Sequence, residues 1–354
     1  MAGIYVHFPF CSARCIYCDF YSRVRKDKTG YTEALVAEIS ANRDFFRSVS
    51  PSTLYFGGGT PSLFPVEDLE LVAQSARETF SVGRFDEFTI EVNPDDVTAG
   101  KTARWLSMGV NRISMGVQSF DDRHLKWMKR RHTARQAEEA FRTLRAEAPG
   151  AALSIDLIFG FDGLSDEDWK ATINRAMALR PDHISCYQMT GRYASSSEEA
   201  CFRQYGILQA ILTAEGYEQY EISNYALEGC RSLHNSGYWK RTPYLGVGAA
   251  AHSFDGLRTR RWNVSDIDRY IAGEKPGFEL LTDEEILEET VMLSLRTAEG
   301  LDLSLVPERY LTEMRPALER LSKAGDIVLC GNLLKIPPER LFVSDWIVSR
   351  LLAY

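Results

Sequence analysis

Cysteine is scarce in this chain: seven in 354 residues, an odd number. So sparse a set excludes a disulfide scaffold and points to a reducing cytoplasm. Long hydrophobic runs are missing too, and none approaches the roughly 20 apolar residues that a membrane-spanning helix needs. The opening MAGIYVHFPF has no basic segment ahead of an apolar stretch and does not read as a signal peptide, so a cytoplasmic location is expected. Basic charge is in deficit, 41 Lys and Arg against 49 Asp and Glu for a net −8, which argues against a general nucleic-acid binder. Apart from Ser195-Ser196-Ser197 there is no low-complexity segment, and no repeat beyond an alternation of strands and helices. What is present is ordinary for a globular protein, 45% hydrophobic and 25% charged, long enough for about two domains and a full core. The anomaly is local. Three of the seven cysteines fall within eight residues.

Strand-like runs at Ile4–Phe8, Thr53–Phe56, Glu87–Val92, Arg112–Met115, Ser154–Phe159 and His183–Gln188 alternate with amphipathic stretches. Leu35, Val36, Ile39, Phe45 and Phe46 recur at helical spacing, as do Leu69, Val72, Ala73 and Ala76. This alternation predicts an α/β fold with a parallel sheet, and six such units predict an open, partial (β/α)6 barrel with its chemistry at the carboxyl ends of the strands. The predicted division is a barrel over 1–190, an extension over 191–279, and a small α+β, winged-helix-like module over 280–354. In that last module Ile286, Leu287, Val291 and Leu295 form one stripe of the helix Asp283–Leu295, a second helix covers Tyr310–Ala324, short strands lie near Ile327–Leu329 and Leu333–Ile336, and a last helix closes at Tyr354.

Cys11-Ser12-Ala13-Arg14-Cys15-Ile16-Tyr17-Cys18 puts three thiols in a loop directly after the first strand. Thiolates this close suit a soft metal centre, whose charge offsets their repulsion. A structural zinc site wants four ligands, and no fourth Cys or His lies nearby downstream; His7 is upstream in a strand, so its side chain need not face the loop. Three ligands on a [4Fe–4S] cluster leave one iron open. Cys186, Cys201, Cys230 and Cys330 are scattered and read as small buried or half-buried residues.

The spacing, with Tyr17 before the last cysteine, resembles the radical S-adenosylmethionine (SAM) signature. Other strand ends agree: Gly57-Gly58-Gly59-Thr60-Pro61 after the second strand, Glu91-Val92-Asn93-Pro94 after the third, Gly116-Val117-Gln118 after the fourth, and Asp156 within the fifth. Together with Ile4-Tyr5-Val6-His7-Phe8-Pro9-Phe10-Cys11, Asn111-Arg112-Ile113-Ser114-Met115-Gly116-Val117-Gln118-Ser119-Phe120 and Tyr220-Glu221-Ile222-Ser223-Asn224, they resemble the coproporphyrinogen-oxidase-like branch. Two relatives compete within it. The oxygen-independent coproporphyrinogen III oxidases carry a further cysteine two positions after the third; here that position is Phe20. The HemW-type haem chaperones have Cys-Asp-Phe there and a His-Asn-x-x-Tyr-Trp motif associated with haem, and this chain has Cys18-Asp19-Phe20 and His234-Asn235-Ser236-Gly237-Tyr238-Trp239.

The resemblance to the chaperones implies a [4Fe–4S] cluster on Cys11, Cys15 and Cys18, with SAM chelated at the open iron. It implies that Gly58, Gly59 and Thr60 contact the methionyl amine, that Glu91 and Arg130 contact polar parts of SAM, that Gln118 and Asp156 reach its ribose, and that Tyr5 and Tyr17 border it. Arg130 and Arg131 read as a helical pair, which is usually solvated. His234 is implied as a haem contact; from the residues alone it is a loop histidine with Tyr238 and Trp239 filling core, and His252 is a second candidate. The implied partners are haem or a porphyrin and a haem-acceptor protein, membrane-associated acceptors included, with no nucleic acid. The alternatives are the porphyrinogen oxidase, a radical SAM enzyme with another substrate, and a zinc-stabilised binding module. Gly246-Val247-Gly248 mimics a dinucleotide fingerprint, but no helix follows and no βαβ unit encloses it. Two departures from the branch fall near the expected pocket mouth: Phe161-Asp162-Gly163-Leu164 replaces a Leu-Pro-Gly, and the segment after Thr190 is short.

Overall fold

The computed structural model describes residues 1–47, 49–193 and 196–352. Six strands and their crossover helices succeed one another as the alternation predicts. They are β1 (Gly3–Phe8), β2 (Thr53–Gly58), β3 (Glu87–Val92), β4 (Arg112–Gln118), β5 (Ala152–Phe159) and β6 (His183–Gln188), neighbours in that order and all parallel. The connecting helices are α1 (Tyr31–Ala41), α2 (Val66–Phe80), α3 (Ala99–Ser107), α4 (Ala134–Glu147) and α5 (Asp166–Ala178), and α6 (Glu198–Ala214) comes after β6. Of the expected helical stripes, Leu35, Ile39, Leu69, Val72, Ala73 and Ala76 are fully buried against the sheet, whereas Val36 is half-buried and Phe45 and Phe46 lie beyond the end of α1.

Sequence reading missed a seventh parallel strand. After β7 (Glu218–Gln219), β8 (Asn224–Ala226) and helix α7 (Leu233–Trp239), the chain returns as β9 (Tyr244–Val247) to lie parallel to β1 on its free side. The dinucleotide mimic is this strand and its turn. The chain then runs through β10 (His252–Phe254), β11 (Thr259–Trp262) and β12 (Gly277–Leu280), all antiparallel. The full sheet runs β12-β11-β10-β9-β1-β2-β3-β4-β5-β6-β8-β7, and among the described residues no pairing joins its two ends. The barrel is open.

Parallel strands covered by helices usually read as continuous apolar runs. Here they alternate. Ile4, Val6, Phe8, Leu54, Phe56, Phe88, Ile90, Ile113, Met115, Leu153, Ile155 and Ile184 are buried on one face, against the helices. The other face carries Tyr5, His7, Tyr55, Glu87, Thr89, Glu91, Arg112, Ser114, Ser154, Asp156, His183 and Ser185. With a side-chain period of two, that second set must point together into the barrel's interior, which is therefore polar.

The C-terminal residues form α8 (Asp283–Leu295), α9 (Glu308–Ala324) and α10 (Ser344–Leu351) around a three-stranded sheet of Leu301–Asp302, Leu333–Lys335 and Val328–Cys330. Leu287, Val291 and Leu295 are buried as the stripe predicts, while Ile286 is half-buried. This module docks beside β7 and β8: Glu221 bridges to Thr297, Ile222 N donates to Arg296 O at 2.9 Å, and Ala298 N donates to Tyr220 O at 3.0 Å. The expected end of the last helix at Tyr354 lies outside the described residues, as does Ser195 of the serine run.

Candidate cofactor site

The first strand delivers the cysteines. Beyond Phe8 the chain pairs Phe10–Cys11 in parallel with Arg23–Val24, closing a loop that carries Cys15 and Cys18. Arg23 N donates to Pro9 O at 2.8 Å, and Ile16 N donates to Met128 O at 3.4 Å, tying the loop to the segment after β4. His7 does reach this loop: Nε2 lies 2.9 Å from the Tyr21 carbonyl and Nδ1 2.9 Å from the Tyr5 hydroxyl. A carbonyl can only accept, so Nε2 carries the proton and Nδ1 accepts from Tyr5. The three thiols are free and half-buried. Among the described residues their sulfurs do not all lie within 4.8 Å of one another, as ligands of a single ion would; the trio at that spacing is Asp121, His124 and Asp168, whose carboxylates already pair with Arg123.

The loop caps a cavity of about 480 Å³ that runs down the polar interior as far as Ser232 and Asn235. Cys11, Cys15, Cys18, Tyr17, Gly58, Gly59, Thr60, Glu91, Gln118, Arg130 and Asp156 all line it. Tyr5 is not among its lining residues. Thr60 Oγ1 donates to Cys11 Sγ at 3.6 Å and accepts from Asn93 Nδ2 at 3.3 Å. Gly58 has φ +105°, and a Cβ built there would lie 2.4 Å from His7 Nδ1; one at Gly59 would lie 2.6 Å from Phe8 O. These two positions need glycine for the close approach of the turn to β1.

Glu91 Oε1 accepts from Tyr55 Oη at 2.8 Å and Oε2 from Gly58 N at 3.0 Å. Burial, opposed by these bonds and reinforced by Asp156, pushes its pKa up to about 7. Asp156 accepts from Ser114 Oγ at 2.9 Å, and burial pushes it up to about 6. Gln118 sits at φ +69°, where a register shift against β5 turns it into the cavity. Arg130 and Arg131 are not a solvated helical pair. They lie between the short helix Asp122–Trp127 and α4, after Lys129 at φ +59°. Arg130 Nη1 donates to Cys15 Sγ at 3.6 Å and Tyr17 Oη at 3.3 Å, and Nη2 donates to Asn93 Oδ1 at 2.8 Å and to Gly116 O. Arg131 instead pairs with Asp95 at 2.6 Å. Phe161, expected near the mouth, is not among the cavity's lining residues and is buried under Trp127, ring centroids 5.3 Å apart, while Phe20 lines the cavity and is 68% exposed on its rim.

His234 is elsewhere. It lies in helix α7 rather than a loop, at the amino ends of the strands, 4% exposed. Nδ1 is 2.8 Å from Thr53 Oγ1 and Nε2 2.9 Å from Tyr238 Oη, so in this arrangement neither ring nitrogen is free for iron. Burial pushes its pKa down to about 3. His252 is exposed on an outer strand. Cys186 and Cys201 are buried, but Cys330, expected to be at least half-buried, is exposed. Sequence reasoning missed Tyr55, Thr89, Arg112 and Tyr187 as cavity residues; the polar–apolar alternation along their strands was the available signal.

An open (β/α)6 barrel with three cysteines after its first strand and a glycine turn after its second defines a protein of the radical SAM superfamily. The family model "Radical SAM superfamily" matches residues 5–176, and "HemN C-terminal domain" matches 281–342. Over the whole chain the fold is similar to coproporphyrinogen III oxidase (HemN) from Escherichia coli, with TM-score 0.84 at 22% identity, covering 99% of this chain and 89% of that one. "Heme chaperone HemW" of Bacillus subtilis is 33% identical over 88% of this chain and 87% of its own length, and that of Synechocystis sp. 32% over 91% and 84%. The chain belongs to the heme chaperone HemW family.

Superfamily membership implies a [4Fe–4S] cluster and SAM as cofactors. The residues present fit them. Three free thiols stand at the mouth of a cavity in which Thr89 Oγ1, Arg112 Nη2 and Arg130 Nε are buried without a partner among the described residues. Polar atoms left so in a cavity wall are ready to meet a polar ligand.

Proposed function

We propose that this protein is a haem chaperone that holds a [4Fe–4S] cluster and SAM at one end of its barrel, binds haem, and passes it to an acceptor protein. Cys11, Cys15 and Cys18 would hold the cluster, which when bound supplies an open iron for the amino and carboxylate groups of SAM. Thr60 and the Gly58–Gly59 turn would present polar groups to the methionyl amine, and Arg130 a guanidinium to a carboxylate. Asp156 and Gln118 would accept and donate at ribose hydroxyls, and Glu91 would contact a polar part of the cofactor. The observation that carries the chaperone reading is Phe20, exposed on the rim where the oxidases of this branch carry a further cysteine, in a chain whose relatives at 32% and 33% identity are heme chaperones. Among the described residues no helix is long and apolar enough to cross a membrane.

The test is a pair of anaerobic measurements on the reconstituted protein. Reconstitution is expected to give about four irons per chain with matching sulfide, and haem titration a saturable Soret change. Stoichiometric zinc without sulfide, or no Soret change, overturns the reading. Robust decarboxylation of coproporphyrinogen III with SAM and reductant replaces it with the oxidase.

A further inference from the structure

One column of side chains runs the height of the barrel interior and ends on the cofactor turn. At its foot His234 bridges Thr53 and Tyr238, and its ring stacks on Tyr55 with centroids 5.0 Å apart and planes at 29°. Tyr55 Oη donates to Glu91 Oε1 at 2.8 Å, and Glu91 Oε2 accepts from Gly58 N at 3.0 Å. A side arm leaves through Tyr5, whose ring centroid is 5.9 Å from that of Tyr55 and 6.5 Å from that of His234, to His7 and the Tyr21 carbonyl of the cysteine loop.

The chain keeps space for this column at separate points. A Cβ on Gly3 would lie 3.0 Å from His234 Cε1 and 2.8 Å from Thr53 Oγ1. One on Gly57 would lie 2.7 Å from Tyr55 Cε1 and 3.0 Å from Glu91 Oε1, and one on Gly58 would run into His7. Glycines of β1 and β2 thus stand against His234, Tyr55 and His7, at positions where a strand otherwise gains from a side chain. The foot is fixed as well. Glu87 accepts from His234 N at 3.0 Å and Leu233 N at 2.8 Å, so the backbone that carries the imidazole is anchored to β3.

We propose that His234 is a positioning residue for SAM, acting through Tyr55 on Glu91 and the Gly58 amide, and not an iron ligand for haem. The proposal rests on the placement of SAM against Glu91 and Gly58. The imidazole fixes the plane of the Tyr55 ring, and that ring fixes which way the phenol hydroxyl points. The hydroxyl takes one carboxylate oxygen of Glu91, which leaves the other on the glycine turn. Loss of His234 frees Tyr55 to rotate and releases Glu91 from its fixed pose, while the rim and mouth of the cavity are untouched.

The experiment compares wild type, His234→Ala, Tyr55→Phe and Glu91→Ala, each reconstituted anaerobically, by SAM titration calorimetry and by haem titration in the Soret band. Tyr55→Phe keeps the stack and removes only the hydroxyl, so it serves if His234→Ala does not fold. His234→Ala and Tyr55→Phe are each expected to bind SAM about tenfold more weakly, the scale of one lost charge-assisted hydrogen bond, with iron content and haem affinity unchanged. In the double variant His234→Ala/Glu91→Ala the two losses are expected to be less than additive, because they act on one chain of contacts. A lost Soret change in His234→Ala with unchanged SAM affinity makes His234 a haem ligand and overturns the proposal, as does unchanged SAM affinity in Tyr55→Phe. If Glu91→Ala itself binds SAM normally, the placement of SAM is what fails.

Discussion

The Arg130 guanidinium stands 3.6 Å from the sulfur of Cys15 and reaches the Asn93 side chain and the Gly116 carbonyl with its other nitrogen. The planar fork lets one residue tie the cysteine loop to two strand ends, and it sets a fixed positive charge beside a sulfur that would hold the cluster. Arg130→Ala is expected to lose iron to a chelator several-fold faster than wild type and to bind SAM about tenfold more weakly, the scale of one charged hydrogen bond. Arg130→Lys is expected to behave nearly as badly, because one ammonium cannot span these partners. Iron release tracked through the cluster's visible absorbance under EDTA checks both; full rescue by lysine would show that charge alone matters.

Two half-buried, desolvated carboxyls in one cavity make the apo protein sensitive to pH. Glu91 is pushed from 4.5 to about 7 by burial and by Asp156, and Asp156 is raised for the same first reason. A carboxyl whose folded pKa is raised favours the protonated fold, so its contribution is fully present below pH 4.5 and is lost as pH climbs through about 7. Apo protein should therefore lose roughly 3 kcal/mol or less from Glu91 between about pH 5 and about pH 8. Glu91→Gln, whose amide can still donate to Tyr55 and accept from Gly58, should raise the apo Tm at the alkaline end of that range and leave it unchanged at the acid end. A Tm difference independent of pH would rule out titration of Glu91 in this range.

The cysteine loop and the strand ends were legible because their chemistry is local: a few residues at fixed spacing, each at the end of a hydrophobic run. The interior was legible in principle, since Glu87, Thr89 and Glu91 alternate with Phe88, Ile90 and Val92, but a reading that sought only apolar runs passed over it. β9 escaped because its four residues carry two positions that look like a nucleotide turn, and only pairing with β1, more than two hundred residues earlier, makes them a strand. Arg130 misread for a related reason. Its neighbours, an αL lysine and a paired Arg131, are set by tertiary contacts with Asp95 and Cys15 that no helical periodicity encodes. His234 reads as a loop residue because its neighbours are Gly and aromatics, whereas Ser232 as N-cap of α7, accepting from Asn235 N at 3.3 Å, is the local sign that the histidine sits on a helix.

Glu87 holds the foot of the barrel. Its carboxylate accepts from Ser232 Oγ at 3.1 Å, Leu233 N at 2.8 Å and His234 N at 3.0 Å, with Arg112 Nη1 3.9 Å away; Glu87, Arg112, Ser232 and His234 are buried and Leu233 is half-buried. Alanine there leaves three donors unsatisfied and a buried guanidinium without its counter-charge. Glu87→Ala is expected to cost about 3–5 kcal/mol, the range for breaking a buried ion pair from one side, read as a large fall in Tm. Glu87→Gln keeps the shape and one acceptor, and should fall between the two. Equal Tm values for wild type and Glu87→Ala would mean that α7 docks by packing alone.

Glycine substitutions separate strain at the cofactor turn from simple loss of chain freedom. Gly58 lies at φ +105° with His7 Nδ1 2.4 Å from a built Cβ, and His7 cannot retreat without releasing the Tyr21 carbonyl. Gly83 is exposed, has no positive φ, and has nothing within 4 Å of a built Cβ. Gly58→Ala is expected to destabilise the protein by about 1–3 kcal/mol, the usual scale of a forced backbone conformation, and to lower iron per chain after reconstitution because the displaced imidazole drags the cysteine loop. Gly83→Ala should stay within about 0.5 kcal/mol of wild type, as surface changes do, with full iron content. Iron analysis beside thermal melts decides it: a Gly58→Ala protein that is destabilised but fully loaded with iron would show that His7 does not hold the loop.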